Sequence, residues 1–183
     1  MKRCLLLLLC VALLLCGIGC REQEPADKND PVSTPESDGT NQYVVDPVIN
    51  RFILEFEEQQ RYVMAGLVQN ADLSCVAYVD MCQVTMYSSD RGLCFSIVGG
   101  NTEELRNRML DIFYSIAQVV DPSCTDQQAQ TAVDYLTASD SVITHYKVSA
   151  DVTVDGYVPL ASDPTVTVDS RIEFTALGYT AEE

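Results

Sequence analysis

Hydrophobic and polar positions along the chain switch between two periods, and the switches mark its predicted elements. Asp46-Pro47 is a helix start, a capping side chain followed by proline at the first helical position. Ile49, Phe52, Ile53 and Phe56 then recur at spacings of three and four, which predicts an amphipathic helix of about three turns. Residues 60–71 are ambiguous: the helix continues towards Ala65 or breaks at Gly66. From Leu73 to Tyr87 the period becomes two. Its apolar positions are odd from Leu73 to Met81 and even from Cys82 to Met86, so a bulge near Met81-Cys82 is expected within one long strand. Leu93, Phe95 and Ile97 form the returning strand, closed by Gly99-Gly100.

Helical spacing resumes with Leu105, Met109, Ile112, Phe113, Ile116 and Val120, and Asn101 and Glu104 have capping-box spacing before it. Asp121-Pro122 stops this helix. Thr125 and Gln128 repeat the capping spacing and open a shorter helix through Ala129, Ala132, Val133 and Leu136. Two alternating segments follow, Tyr146–Asp155 and Val166–Ala176, each with one apolar and one polar face, as in an antiparallel sheet. Charge pairing predicts a register that places Asp151 opposite Arg171. The predicted order is α-β-β-α-α-β-β, without the βαβ alternation of parallel sheets. The expected class is α+β: two layers, a four-stranded, mainly antiparallel sheet with helices on one face. The second strand of each hairpin is a candidate edge for strand addition by a partner.

The first twenty residues change the picture. Met1-Lys2-Arg3 is basic, residues 4–16 are only Leu, Cys, Val and Ala, and the run ends Leu15-Cys16-Gly17-Ile18-Gly19-Cys20. The apolar run of about 15 residues is short of the roughly 20 a spanning helix needs. A basic start, a short apolar core and a small residue before cysteine resemble the signal peptide and lipobox of bacterial lipoproteins. The resemblance covers about a tenth of the chain. It implies cleavage after Gly19 and diacylglyceryl modification of the Cys20 thiol. Acyl chains contribute about 0.8 kcal/mol per buried CH₂, so a multiply acylated Cys20 anchors stably. Three segments are expected: 1–19 signal peptide, 20–45 lipidated cysteine and tether, 46–183 a single domain. The tether, with Pro25, Pro31 and Pro35 and few apolar residues, is too polar to fold. As a flexible spacer of about 25 residues it spans about 28 Å.

Composition then narrows the function. The chain of 183 residues has 11 Lys plus Arg against 27 Asp plus Glu, a net charge of −16. Loss of residues 1–19 removes Lys2 and Arg3 and leaves −18. That charge excludes nucleic-acid binding by phosphate neutralisation. One histidine, His145, cannot build a multi-histidine metal site. No cofactor motif is present: Gly99-Gly100-Asn101 lacks the nucleotide-loop pattern, and Asp151–Gly156 lacks the ligands of a calcium loop. Cys75, Cys82, Cys94 and Cys124 are even in number and are candidates for disulfides in an extracytoplasmic protein. No CxxC occurs among them. Tyr62, Tyr78, Tyr87, Tyr157 and Tyr179 are candidates for a sticky surface.

The expected function is a non-catalytic binding or envelope-assembly domain, held to the extracytoplasmic side of the cell membrane by its lipid. Its partner would be a protein or envelope component. The competing expectation is a small envelope hydrolase using His145 with a cysteine or carboxylates. The two differ in whether His145 lies within hydrogen-bond reach of such a group.

Overall fold

The computed structural model describes residues 44, 46–60, 62–162, 165 and 167–180. The signal peptide, Cys20 and nearly all of the tether lie outside them. Asp46 caps the first helix as expected, its Oδ1 accepting from the backbone N–H groups of Val48 and Ile49. This helix, α1 (Pro47–Gln59), buries Ile49, Phe52, Ile53 and Phe56, the face its spacing indicated. It ends at Gln59. The ambiguous stretch after it is an edge strand, β1 (Ala65–Gln69).

The predicted long strand is in fact two. β2 (Cys75–Val79) and β3 (Cys82–Ser89) form a hairpin in which Val79 faces Cys82. Asp80 and Met81 form its two-residue turn, with φ of 42° and 69°. Positive φ at both turn positions is the sign pattern of a type I′ turn, whose twist suits tight hairpins. The parity switch at Met81-Cys82 is therefore a change of strand and not a bulge. A two-residue turn shifts apolar parity as one inserted residue does, and Asp-Met is not one of its usual sequences.

β4 (Gly92–Gly100) returns alongside β3. Then comes α2 (Glu103–Val120), capped by Thr102, whose side chain accepts from the Leu105 N–H; the cap is one residue beyond the expected Asn101. α3 (Asp126–Thr137) has the full capping box between Thr125 and Gln128. Gly99 explains its own place: a Cβ there would lie 2.7 Å from Met109 Cβ and 2.8 Å from the Leu105 carbonyl oxygen. The glycine pair lets α2 rest directly on the β4 backbone.

The segment read as one strand from Tyr146 to Asp155 is also a hairpin. β5 (Ile143–Lys147) turns through Val148–Asp151 into β6 (Val152–Val158), and β7 (Ser170–Leu177) closes the sheet. Val168 precedes β7, and Val166 lies outside the described residues. The Asp151–Arg171 pairing does not form: Val152 faces Ala176, Val154 faces Phe174, and after a shift at Asp155-Gly156 Arg171 faces Val158. Asp151 lies in the turn before β6. An exposed charge pair contributes only about 0.2–1 kcal/mol, so burial of Val154 against Phe174 sets the register.

The class is α+β, but the sheet has seven antiparallel strands in the order β1-β2-β3-β4-β7-β6-β5. The strands proposed as free edges, β4 and β7, pair with each other at its centre. The edges are β1 and β5. β1 is shifted out of register between Ala65 and Val68, and His145 interrupts β5 at φ 58°. Irregular edges of this kind discourage strand addition.

The helices cover one face of the sheet. A line of aromatic rings runs from α1 through the sheet to α2. Phe52 meets Phe95 edge-on at 4.9 Å, Phe95 stacks on Phe174 at 4.8 Å, and Phe174 meets Phe113 edge-on at 5.0 Å. The C-terminal end is tied back to α1: Tyr179 Oη donates to Glu55, and Arg51 donates to Glu55 and to the Thr180 carbonyl.

Candidate functional site

Among the described residues no helix lies over the other face of the sheet. Strand alternation decides what it displays, because the positions between buried core residues must point away from the helices. Three rows of facing residues cross it. Tyr87, Cys94, Thr175, Thr153 and Lys147 form one. Val76, Thr85, Ser96 and Glu173 form the second, and Tyr78, Gln83, Val98, Arg171 and Val158 the third. Tyr78 and Tyr87 are about half exposed, at 51% and 47%. A groove of about 330 Å³ opens at one end, between the Val98–Arg171–Val158 row and Val168 and Asp169 of the preceding loop.

A hydroxyl and thiol cluster stiffens the middle of this face. Thr175 donates its hydroxyl to Asp155. Ser89 donates to the Gly92 carbonyl, 3.0 Å away, and accepts from the Arg91 N–H. Both hydroxyl protons are thus committed, and Cys94 Sγ lies 3.4 Å from Ser89 Oγ and 3.5 Å from Thr175 Oγ1. The proton in either contact comes from the thiol. Burial, with the neighbouring Cys94, Glu173 and Asp155, pushes the Tyr87 phenol above its ordinary pKa. Cys94 and Thr175 lie buried in this cluster, and the neighbouring Tyr87 phenol is what the face presents.

The sequence-derived candidates separate in space. Cys75 and Cys82 lie on the helix-covered face of adjacent strands, Cys94 on the open face, and Cys124 before α3. All four are free thiols. Cys94 faces Tyr87, as the hairpin turn around Asp90 implied. Val79 faces Cys82 while Cys75 faces Met86, so Cys75 and Cys82 are separated by four strand positions, about 13 Å along the ladder. Burial, and secondarily the Asp80 charge, raises the Cys82 thiol to about 11; burial likewise raises Cys75 and Cys124. These are core residues that behave as small hydrophobes.

His145 is exposed on the edge strand. No hydrogen bond or ion pair joins it to a cysteine or carboxylate among the described residues, so the geometry assembles no base–nucleophile pair around it. Among the described residues no group of three or more His, Cys, Asp or Glu side chains could hold a metal. Of the five tyrosines singled out, Tyr157 is fully buried and Tyr179 nearly so; Tyr78 and Tyr87 reach the open face. The role of that face was hidden in the sequence, because the turn at Asp80-Met81 decides which positions share it.

A second depression, about 410 Å³, lies in the helix layer between Gln60, Asp111, Tyr114, Ser115, Gln130 and Val133. Its lining is about half polar and it opens broadly to solvent, unlike the mostly apolar, enclosed pockets that hold small molecules. No helix among the described residues is long and apolar enough to cross a membrane.

Comparison with protein-family models, with curated proteins and with solved structures finds no match to this chain. The reading below therefore rests on its own residues.

Proposed function

We infer that this chain is a lipid-anchored extracytoplasmic protein whose folded domain binds a macromolecular partner and does no chemistry of its own. The anchor half of this reading rests on Gly19-Cys20 after the basic and apolar start. The binding half rests on one observation: a seven-stranded sheet offers a face that no described helix covers, carrying Tyr78, Tyr87 and a groove. Tyrosine is enriched in the cores of protein interfaces because it supplies contact area and a hydrogen bond at low entropy cost. Exposed edges are irregular, so a partner would meet side chains on the face in preference to open backbone on the rim.

Two measurements test the reading. Wild-type protein should partition with membranes and carry a diacylglyceryl mass on its N-terminal cysteine. Cys20→Ala should lose the added mass and the membrane association. A Cys20→Ala protein that stays in membranes would refute the anchor. For the binding half, Tyr78→Asp and Tyr87→Asp should reduce recovery of cross-linked partners from intact cells while leaving the far-UV circular dichroism unchanged. Unchanged recovery from both variants would refute it.

A further inference from the structure

We propose that the open face of the sheet is occupied by a second copy of this chain, packed face to face about a two-fold axis. This rests on the binding reading above and names the partner.

Charge supplies the first argument. The whole chain carries −16. The three helices alone hold eight carboxylates against three arginines, so two copies meeting through their helix layers would repel. The open face is different. It carries Lys147 and Arg171 against Asp155 and Glu173, with Asp169 at the groove, so two bases stand against three carboxylates. Asp155 is already held by Thr175, and Arg171 and Glu173 pair at 3.3 Å along their own strand. A face one charge from neutral meets its copy at far less like-charge cost than the helix layer would. In an isologous contact each Lys147 is also free to find a carboxylate of the opposite copy, and Lys147 has no salt-bridge partner among the described residues. An acidic partner would find no net attraction here, and a strongly basic one would be drawn to the helix layer instead.

Size supplies the second. Seven strands at about 4.8 Å spacing and about 23 Å in length give a footprint of roughly 700 Å². A standard stable interface buries about 800 Å² per partner. The face thus matches a dimer contact in area without help from the rest of the molecule. Two sheets facing each other pack about 10 Å apart with strands nearly aligned, which suits the mix of Val, Thr and Tyr that the rows present. On the proposed anchor, two copies confined to one membrane also have a raised effective concentration.

The test uses full-length protein in its membrane. A photo-crosslinking benzoylphenylalanine replaces Tyr87 on the open face or, as a control, Leu54 on the outer side of α1. Irradiation at Tyr87 should yield a species of twice the monomer mass whose peptides all come from this chain, and irradiation at Leu54 should not. Arg171→Glu and Lys147→Glu, each with unaltered far-UV circular dichroism, should each lower the yield about tenfold by placing like charges across the axis. A Tyr87 crosslink to a different protein would overturn the second copy while preserving the binding function. A monomer-mass product whose crosslinked peptide falls within residues 20–43, with no dimer, would overturn the second copy. No crosslink at Tyr87, in a protein that folds, would overturn both. A dimer yield unchanged by either charge reversal would overturn the face-to-face arrangement.

Discussion

Asp121 closes α2 with a carboxylate that is only 2% exposed, where an unpaired charge could not survive. It is not unpaired. Ser123 donates both its backbone N–H, at 2.9 Å, and its hydroxyl, at 2.6 Å, and the Ser149 hydroxyl donates from the turn between β5 and β6. Burial alone would raise this carboxyl, but these donors outweigh burial and hold it below the ordinary range. The folded form thus favours the ionised group more than the unfolded chain does. Its contribution is complete above about pH 4, the unfolded value, and is lost as pH falls through the lower folded value. Asp121→Asn turns an acceptor of three hydrogen bonds into a group that must also donate. Hydrogen bonds to charged groups contribute about 1.5–3 kcal/mol, so urea denaturation at pH 7 should show a loss of that order. The gap between wild type and variant should narrow below pH 4. A gap that widens there would mean that another group governs the site.

At the scale of elements, the turn at Asp80-Met81 decides the sheet. Met81 is 65% exposed and sits at φ 69°, so its side chain contributes little packing and its backbone pays the left-handed penalty of about 1–2 kcal/mol. Met81→Gly removes that penalty at some cost in unfolded-state entropy, and should raise stability by about 0.5–1 kcal/mol in urea melts; a decrease would show that Met81 packs in solution. Asp80 is a poorer target because Arg108 of α2 pairs with it. The same turn shows where sequence reading stops. The three described helices are legible: Asp46 and the Thr125–Gln128 pair mark two of their starts, and the apolar residues keep one period through each, although α2 is capped by Thr102 and not by Asn101. The strands were less so. Alternation finds apolar positions but cannot separate a bulge from a two-residue turn when no glycine or asparagine marks it, and two hairpins were each read as one strand. β1 was missed because Ala65-Gly66-Leu67 follows a helix without a break in polarity. Charge does not give the register of β6 on β7, because Asp151 lies in a turn and burial of Val154 against Phe174 outweighs a surface ion pair. The open face went unseen for the same reason: with seven strands in place of four, which residues share a face depends on turns the sequence does not advertise.

The whole molecule hangs on one ladder. β1–β4 and β5–β7 are separate runs of the chain, split by α2 and α3, and within the sheet they join only where β4 pairs with β7. Phe95 and Phe174 face each other at that seam and stack, while Phe52 of α1 packs on Phe95 and Phe113 of α2 on Phe174. Removing the Phe174 ring takes one contact from the seam and one from α2. Phe174 is 1% exposed, and truncation of such a ring costs about 3–5 kcal/mol, a large part of the 5–15 kcal/mol that holds a domain of this size. Because the seam is shared, both runs should weaken together. The chain has no tryptophan and nine tyrosines, so near-ultraviolet tyrosine dichroism reports packing and far-ultraviolet dichroism reports the sheet and helices. In Phe174→Ala the two signals should move to lower denaturant by the same amount and stay coincident. If tyrosine packing is lost first while secondary structure persists, the variant passes through a loosely packed state and the seam is not what makes unfolding cooperative. Coincidence would instead mean that the open face, which spans both halves, exists only when the whole sheet is formed. A partner bound across that face would then stabilise the entire domain in proportion to its occupancy.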